Sequence, residues 1–193
     1  DRERLSQMFD QAPSFMSVLR EPGHIIELAN SSYLQLVGDR ELIGRPLEEA
    51  LPEVAQQGFV DILDNVVATG SPFRGENLKV RLQRSADGPS ENRILDFVFQ
   101  PIADAEGRVA AGFVEGIDVT ERERRADALR ESEVRFRMLA NSLPALVWIN
   151  DADGQVIFAS QAFGTMLGVN AADLQEKGWG CIVHPDDMAA FVK

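Results

Sequence analysis

"RILDFVFQPIADAEGRVAAGFVEGIDVTERE", Arg93 to Glu123, carries the reading of the fold. Leu95, Phe97 and Phe99 alternate with Ile94, Asp96 and Val98, the period of two expected of a strand with unlike faces. "DAEG" is a turn signal, and "GRVAAGFVEGIDVT" returns as a second strand. Strands joined so tightly pair antiparallel. Thr120 followed three residues later by Glu123 spells a capping box, so a helix begins directly where the sheet ends.

Moving upstream, "NLKVRLQ" alternates Leu78, Val80 and Leu82 against Lys79 and Arg81, a third strand. Before it, Phe59, Ile62, Leu63, Val66 and Val67 recur at helical spacing from Val54 to Thr69, and Gly70 and Pro72 stop that helix. "FMSVLR" and "HIIELA" are short strands around the turn "EPG". Asn30 is placed to N-cap "SSYLQLV", which ends at Gly38, and Asp39 to cap the short turn "RELIG". The order of two strands, helices and three strands predicts an α+β domain. Its sheet is five-stranded and antiparallel, with helices on one face.

Downstream, "DVTERERRADALRESEVRFRMLANSLP" holds six arginines interleaved with Glu121, Glu123, Asp127, Glu131 and Glu133. The pairs Glu121–Arg125, Glu131–Arg135 and Glu133–Arg137 have acid-before-base spacing that supports a helix by about 0.2–0.5 kcal/mol each. Leu129, Phe136 and Leu143 are seven apart with Leu139 at the matching position, a seam weak at its start because Arg122 and Arg125 precede it. The mixed charge and the formal net charge of −12 argue against nucleic acid. Hydrophobic residues at 45% and charged ones at 26% fit a globular chain without a membrane span. With no secretory signal and a single cysteine, Cys181, a cytoplasmic setting is expected.

The chain also repeats itself. "RERLSQMFDQAPSFMSVLREPG" lies over "EVRFRMLANSLPALVWINDADG" at a constant offset of 131, Arg4 on Arg135, Met8 on Leu139, Pro13 on Pro144. After the turn the match resumes at 130, Leu28 on Phe158, Ala29 on Ala159, Tyr33 on Phe163, Gly38 on Gly168. This pattern implies two copies of one domain type. The expected division is a flanking helix at 1–13, a first domain at 14–120, a helical linker at 121–143 and the N-terminal part of a second domain at 144–193. That second copy shows only its first half. The alternatives are a piece of a longer chain, an unordered remainder, or a half-domain covered by the first domain or a partner.

On "LREPGHIIELANSSYLQLVG", "ELIGRPLEEALPE", "QPIADAEGRV" and "GFVEGIDVTERERR" the first copy resembles a PAS domain of a bacterial-type signalling protein. "LPALVWINDADGQVIFASQAFGTMLG" with "GWGCIVHPDD" resembles another PAS subtype, often next in line in sensor histidine kinases. The resemblance implies a sensory and dimerisation module with a pocket between sheet and helices, and an output domain in cis. By alignment with the family, Leu95, Phe97, Phe99, Val114 and Gly116 face that pocket, joined by Val18, Ile26, Leu28, Tyr33, Phe59 and Leu63. Asp96, Phe113 and Glu115 face outward. A small apolar metabolite suits such a lining, although the same residues are what any half-buried sheet needs to fill its core.

Haem and flavin are disfavoured. The helix Val54–Thr69 has no histidine, and His24 reads as a polar hairpin residue. Flavin-binding members carry a reactive cysteine and ring-facing amides; the first copy has no cysteine, and Leu95 and Gly116 hold the amide positions. Cys181 reads as a small buried or half-buried residue. Asp186 and Asp187 read as helix N-terminal charge rather than metal ligands. No nucleophile–base pair assembles around His24 or His184, so no enzyme is expected here. The expected function is signal input and relay through Asp118, Thr120, Glu123, Leu129, Phe136, Leu139 and Leu143 to an output domain, with a histidine kinase parent. A ligand-free scaffold is the alternative. Homodimerisation through the N-terminal and linker helices and the outer sheet face is expected, with Phe113 and Ile117 covered by the N-terminal helix or its copy.

Overall fold

The computed structural model describes residues 2–38, 40–84 and 88–191. The turn expected to be capped by Asp39 therefore has its cap outside the described residues. The chain divides into two units, Asp1–Arg124 and Arg125–Lys193.

In the first unit α1 (Arg2–Asp10) precedes β1 (Phe15–Arg20) and β2 (Ile25–Ala29). Three short helices follow, α2 (Ser31–Val37), α3 (Leu47–Ala50) and α4 (Pro52–Ala55), then the longer α5 (Phe59–Thr69). The strands β3 (Phe73–Gln83), β4 (Ser90–Ala103) and β5 (Val109–Asp118) complete a five-stranded sheet in the order β2-β1-β5-β4-β3. Every neighbouring pair is antiparallel. Phe99, Leu19, Ile26, Leu42, Leu51 and Val66 are fully buried between sheet and helices. Each such side chain contributes about 1.5–3 kcal/mol by leaving water.

The expected helix from Val54 to Thr69 is broken. Gly58 takes φ +85 and separates α4 from α5, a left-handed step that side chains resist. Helical periodicity survives on both sides of the break, so the pattern of apolar residues did not reveal it.

Asn30 is fully buried and organises the entrance to α2. Its side-chain oxygen accepts from the amides of Tyr33 (2.9 Å) and Met16 (2.8 Å), and its amide nitrogen donates to the carbonyls of Phe9 and Ser14. The N-cap expected from sequence is present, and it also ties the end of α1 to β1. Asp10, the last residue of α1, accepts from the amide of Ser31 at 3.1 Å.

The helix α6 (Thr120–Ser142) runs unbroken from the first unit into the second. Glu131–Arg135 and Glu133–Arg137 pair as expected, at 2.6 and 2.8 Å. Glu121 instead pairs with Arg124, three residues on.

The second unit continues with β6 (Trp148–Asn150), β7 (Val156–Ala159), α7 (Ala162–Leu167), α8 (Ala171–Lys177), a 3-10 turn at Gly178–Cys181 and α9 (Met188–Phe191). Val156, Ala159, Phe163 and Leu174 form its core against Leu146, Val169, Trp179 and Ile182. It repeats the first unit at the level of single bonds. Ser160, equivalent to Asn30, accepts from the amide of Val147 and donates to the carbonyl of Ala145. Asn141, equivalent to Asp10, accepts from the amide of Gln161 at 2.8 Å. The end of α6 therefore does for the second unit what α1 does for the first. Phe136 packs edge-on against Phe158 at 5.2 Å and Ala140 is buried, so part of the seam expected for a partner is used within this unit.

Candidate functional site: an apolar cavity wired to a helix root

A cavity of about 80 Å³ lies between sheet and helices of the first unit. The sheet supplies Phe15, Leu19, Val80, Leu82, Leu95, Phe97, Phe99 and Val114, and the helical side supplies Tyr33, Leu36, Val37, Leu47, Leu51, Val54, Phe59 and Leu63. Of these lining residues only Tyr33 has a polar side-chain atom; burial, then the Glu53 carboxylate, pushes its phenol up from 10.0. The lining offers no imidazole, thiol or amide, so its chemistry does not fit haem or flavin. Apolar cavities of about 150 Å³ take up benzene or xenon. This smaller one suits a compact neutral molecule, or the apolar part of a larger one.

Of the residues singled out from sequence, Tyr33, Phe59, Leu63, Leu95, Phe97, Phe99 and Val114 come together on this cavity. Four do not. Phe15, Ser17 and Leu19 are the buried positions of β1, so Val18 lies on the other face. A bulge shifts the β1–β2 register between Val18 and Leu19, skipping Glu27, and Leu28 turns outward to 51% exposure. Ile26 is wholly buried in the core but does not border the cavity. Gly116 faces inward without lining the cavity; a Cβ there would sit 2.4 Å from both the Asp96 carbonyl oxygen and the Phe15 ring. Phe15, Leu19, Leu36, Val37, Leu47, Leu51, Val54, Val80 and Leu82 also line it and were not singled out. Val80 and Leu82 were already on the apolar face of their strand, a signal that was available; the α3–α4 residues gave none beyond hydrophobicity.

The root of α6 is bonded to the wall of this cavity. The carbonyl of Ile94, next to Leu95, accepts from the amide of Val119 at 2.8 Å, and the Ile94 amide donates to the Thr120 hydroxyl at 2.8 Å. Asp118 accepts from the amide and the hydroxyl of Thr120 and holds Arg93 at 3.2 Å. Arg93 also bonds Glu91, and that hydrogen bond holds the Glu91 carboxyl below its usual range. The expected capping box does not form. Thr120 already lies inside the helix, Glu123 donates its amide to the Val119 carbonyl, and the threonine hydroxyl serves β4 instead. Arg122 reaches Asp96 on the outer sheet face at 3.6 Å.

His24 lies in the β1–β2 turn as expected, where it is buried and left-handed, with φ 50. Its Nδ1 is 2.6 Å from Glu21 and its Nε2 3.0 Å from Asp64 on α5. Cys181 is exposed rather than buried, because the adjacent turn commits Trp179 and Ile182 to the core instead. Leu5 and Met8 of α1 are exposed and Ile117 is 46% exposed, so α1 does not cover that strand in the single chain. Among the described residues no group of three or more His, Cys, Asp or Glu is placed to hold a metal ion, and no helix is long and apolar enough to cross a membrane.

This sheet order, the short helices over an apolar cavity and the helix leaving the last strand define a sensory domain of the PAS type. A family model described as "PAS fold" matches residues 9–124, and one described as "PAS domain" matches 134–191. The chain belongs to the PAS family, in tandem, with the second copy partial.

Curated relatives include a sensor protein and an uncharacterized protein. The two-component sensor PprA of Pseudomonas aeruginosa is 28% identical over 169 residues, 86% of this chain and 18% of that protein. The uncharacterized protein y4lL of Sinorhizobium fredii is 38% identical over 79 residues, 41% of this chain and 9% of that one. The chain thus spans less than a fifth of either. Among solved structures, the PAS domain of Bordetella pertussis BvgS matches with TM-score 0.50 and 24% identity over 68% of this chain and 97% of that one. An RNA-binding light-oxygen-voltage receptor matches with TM-score 0.51 and 22% identity over 71% and 38%. These likenesses show the fold.

Proposed function

We propose that this chain is the sensory and dimerisation segment of a larger two-component signalling protein of the cytoplasm. In this reading its first PAS domain binds a small neutral ligand and relays occupancy through α6 toward a histidine kinase output. One observation carries the reading: Leu95 lines the cavity, and the adjacent Ile94 holds the first turn of α6 through both its carbonyl and its amide. A change in packing at the cavity wall is therefore felt one residue from the helix that leaves the domain. The similarity to PprA supports the class of parent. Exposed Leu129, Met138 and Leu139 on α6, with Leu5 and Met8 on α1, support pairing with a second copy.

The test is native mass spectrometry of the purified chain, with thermal shifts against a panel of small neutral aromatics and hydrocarbons. A co-purifying compound or a melting temperature raised by one of them supports the sensor. An empty protein that no compound stabilises favours the ligand-free scaffold. A monomer by light scattering at tens of micromolar removes the dimerisation part.

A further inference from the structure

Resting on that reading of the cavity, we infer that α4 and the turn to Gly58 form a latched lid, and that the cavity is reached between α4 and the edge of β3. The segment from Leu42 to Gly58 is fastened in two unlike ways. Its front is held by backbone: Ile26 donates to the Arg45 carbonyl at 2.9 Å, Gly44 to Ile26 at 2.7 Å and Leu47 to His24 at 3.0 Å. Its rear is held on β3 by side chains. Gln57 accepts from the Arg81 amide and donates to the Arg81 carbonyl, each at 2.8 Å, and Glu53 accepts from the Gln83 amide at 3.2 Å. Leu51 and Val54 of the cavity wall sit between these two attachments.

The rear attachment is the weaker one. Two side chains can rotate away without breaking any sheet ladder, and Gly58, at φ +85, provides the pivot before α5. The latch is also imperfectly satisfied. Glu53 is buried and bonded to Arg40 at 2.6 Å, yet the Nε of Arg40 is buried with no hydrogen-bond partner. Gln57 and Glu53 also occupy backbone groups of an edge strand, which ties closure to protection of Arg81 and Gln83.

The experiment compares the whole chain with Gln57→Ala, reading amide hydrogen exchange and the rate at which xenon reaches the cavity by xenon NMR. The expected result is faster exchange at Arg81 and across residues 51–58, by about threefold to tenfold for the loss of one or two hydrogen bonds. Xenon access should accelerate by a similar factor, with exchange at Phe99 and Val114 unchanged. Equal xenon rates in the two proteins overturn the access route. Exchange that rises uniformly through β4 and β5 overturns the lid, because Gln57 is then only a stabilising residue. If xenon enters neither protein, the cavity reading fails, and local exchange alone decides the lid: confined to Arg81 and 51–58 it stands, otherwise it falls. Gln57→Glu keeps the acceptor for the Arg81 amide but sets its second oxygen against the Arg81 carbonyl, so it should not restore the protection lost in Gln57→Ala.

Discussion

The amide of Ile94 donates to the hydroxyl of Thr120 across 2.8 Å, joining the strand that walls the cavity to the first turn of α6. The contact spans 26 residues of sequence, and Thr120 is almost fully buried. Thr120→Val keeps the shape and removes the acceptor, leaving the Ile94 amide unpaired at a cost of about 1–3 kcal/mol. Hydrogen exchange at Ile94 should accelerate accordingly, and Thr120→Ser should restore protection. An unchanged Ile94 amide in the valine variant would mean the bond contributes nothing.

Gly116→Ala should destabilise the first unit. The added Cβ meets the Asp96 carbonyl oxygen and the Phe15 ring at 2.4 Å, and a backbone oxygen cannot step aside cheaply. Overpacking of this kind costs about 1–3 kcal/mol. Denaturant unfolding followed by circular dichroism checks it, with Gly164→Ala as a control, since its nearest neighbour would be 3.9 Å away.

Alkaline stability should depend on Tyr33. Burial raises its phenol above 10.0, so the neutral form is favoured in the folded state. The stabilisation is complete below the unfolded value and is lost as pH rises above it. Thermal melts should fall as pH climbs past about 10, and Tyr33→Phe should flatten that fall. A variant with the same alkaline profile would assign the loss to other groups.

His24→Leu should loosen α5 from the β1–β2 turn. The substitution removes both ring nitrogens and leaves the Glu21 carboxylate, at 7% side-chain exposure, without its short contact. A loss of about 1–3 kcal/mol is expected. Exchange in Phe59–Thr69 should rise more than in β4; equal rises would point to a global effect.

Inserting three residues after Arg130 rotates the downstream part of α6 by about 300° at 100° per residue. Under the proposed relay, regulated output of a protein carrying this segment should be lost while the first domain keeps its melting behaviour. Intact regulation would sink a rigid relay through α6.

The five strands, their antiparallel pairing and the α6 start were legible because period-two alternation and turn residues are local signals. Inward positions were harder. Val18 and Leu19 are both apolar, so alternation gave no phase for β1, and the bulge that turns Leu28 outward leaves no mark in composition. Gly58 was visible as a glycine, but helical spacing on both sides hid its break. Thr120 and Glu123 matched a local pattern, yet the hydroxyl is bonded to a strand 26 residues away. The Arg40–Glu53 pair and the bridge from His24 to Asp64 are meetings of distant segments, and single-sequence periodicity is blind to those.

Asp10 and Asn141 hold the helix after the second strand in the same way, at the ends of different helices. The clasp is thus made from the same parts in both copies, the last turn of a helix that precedes the domain and the amide that opens the helix after its second strand. A helix that ends in a short polar side chain at this position can therefore serve at once as the exit of one domain and the clasp of the next, as α6 does.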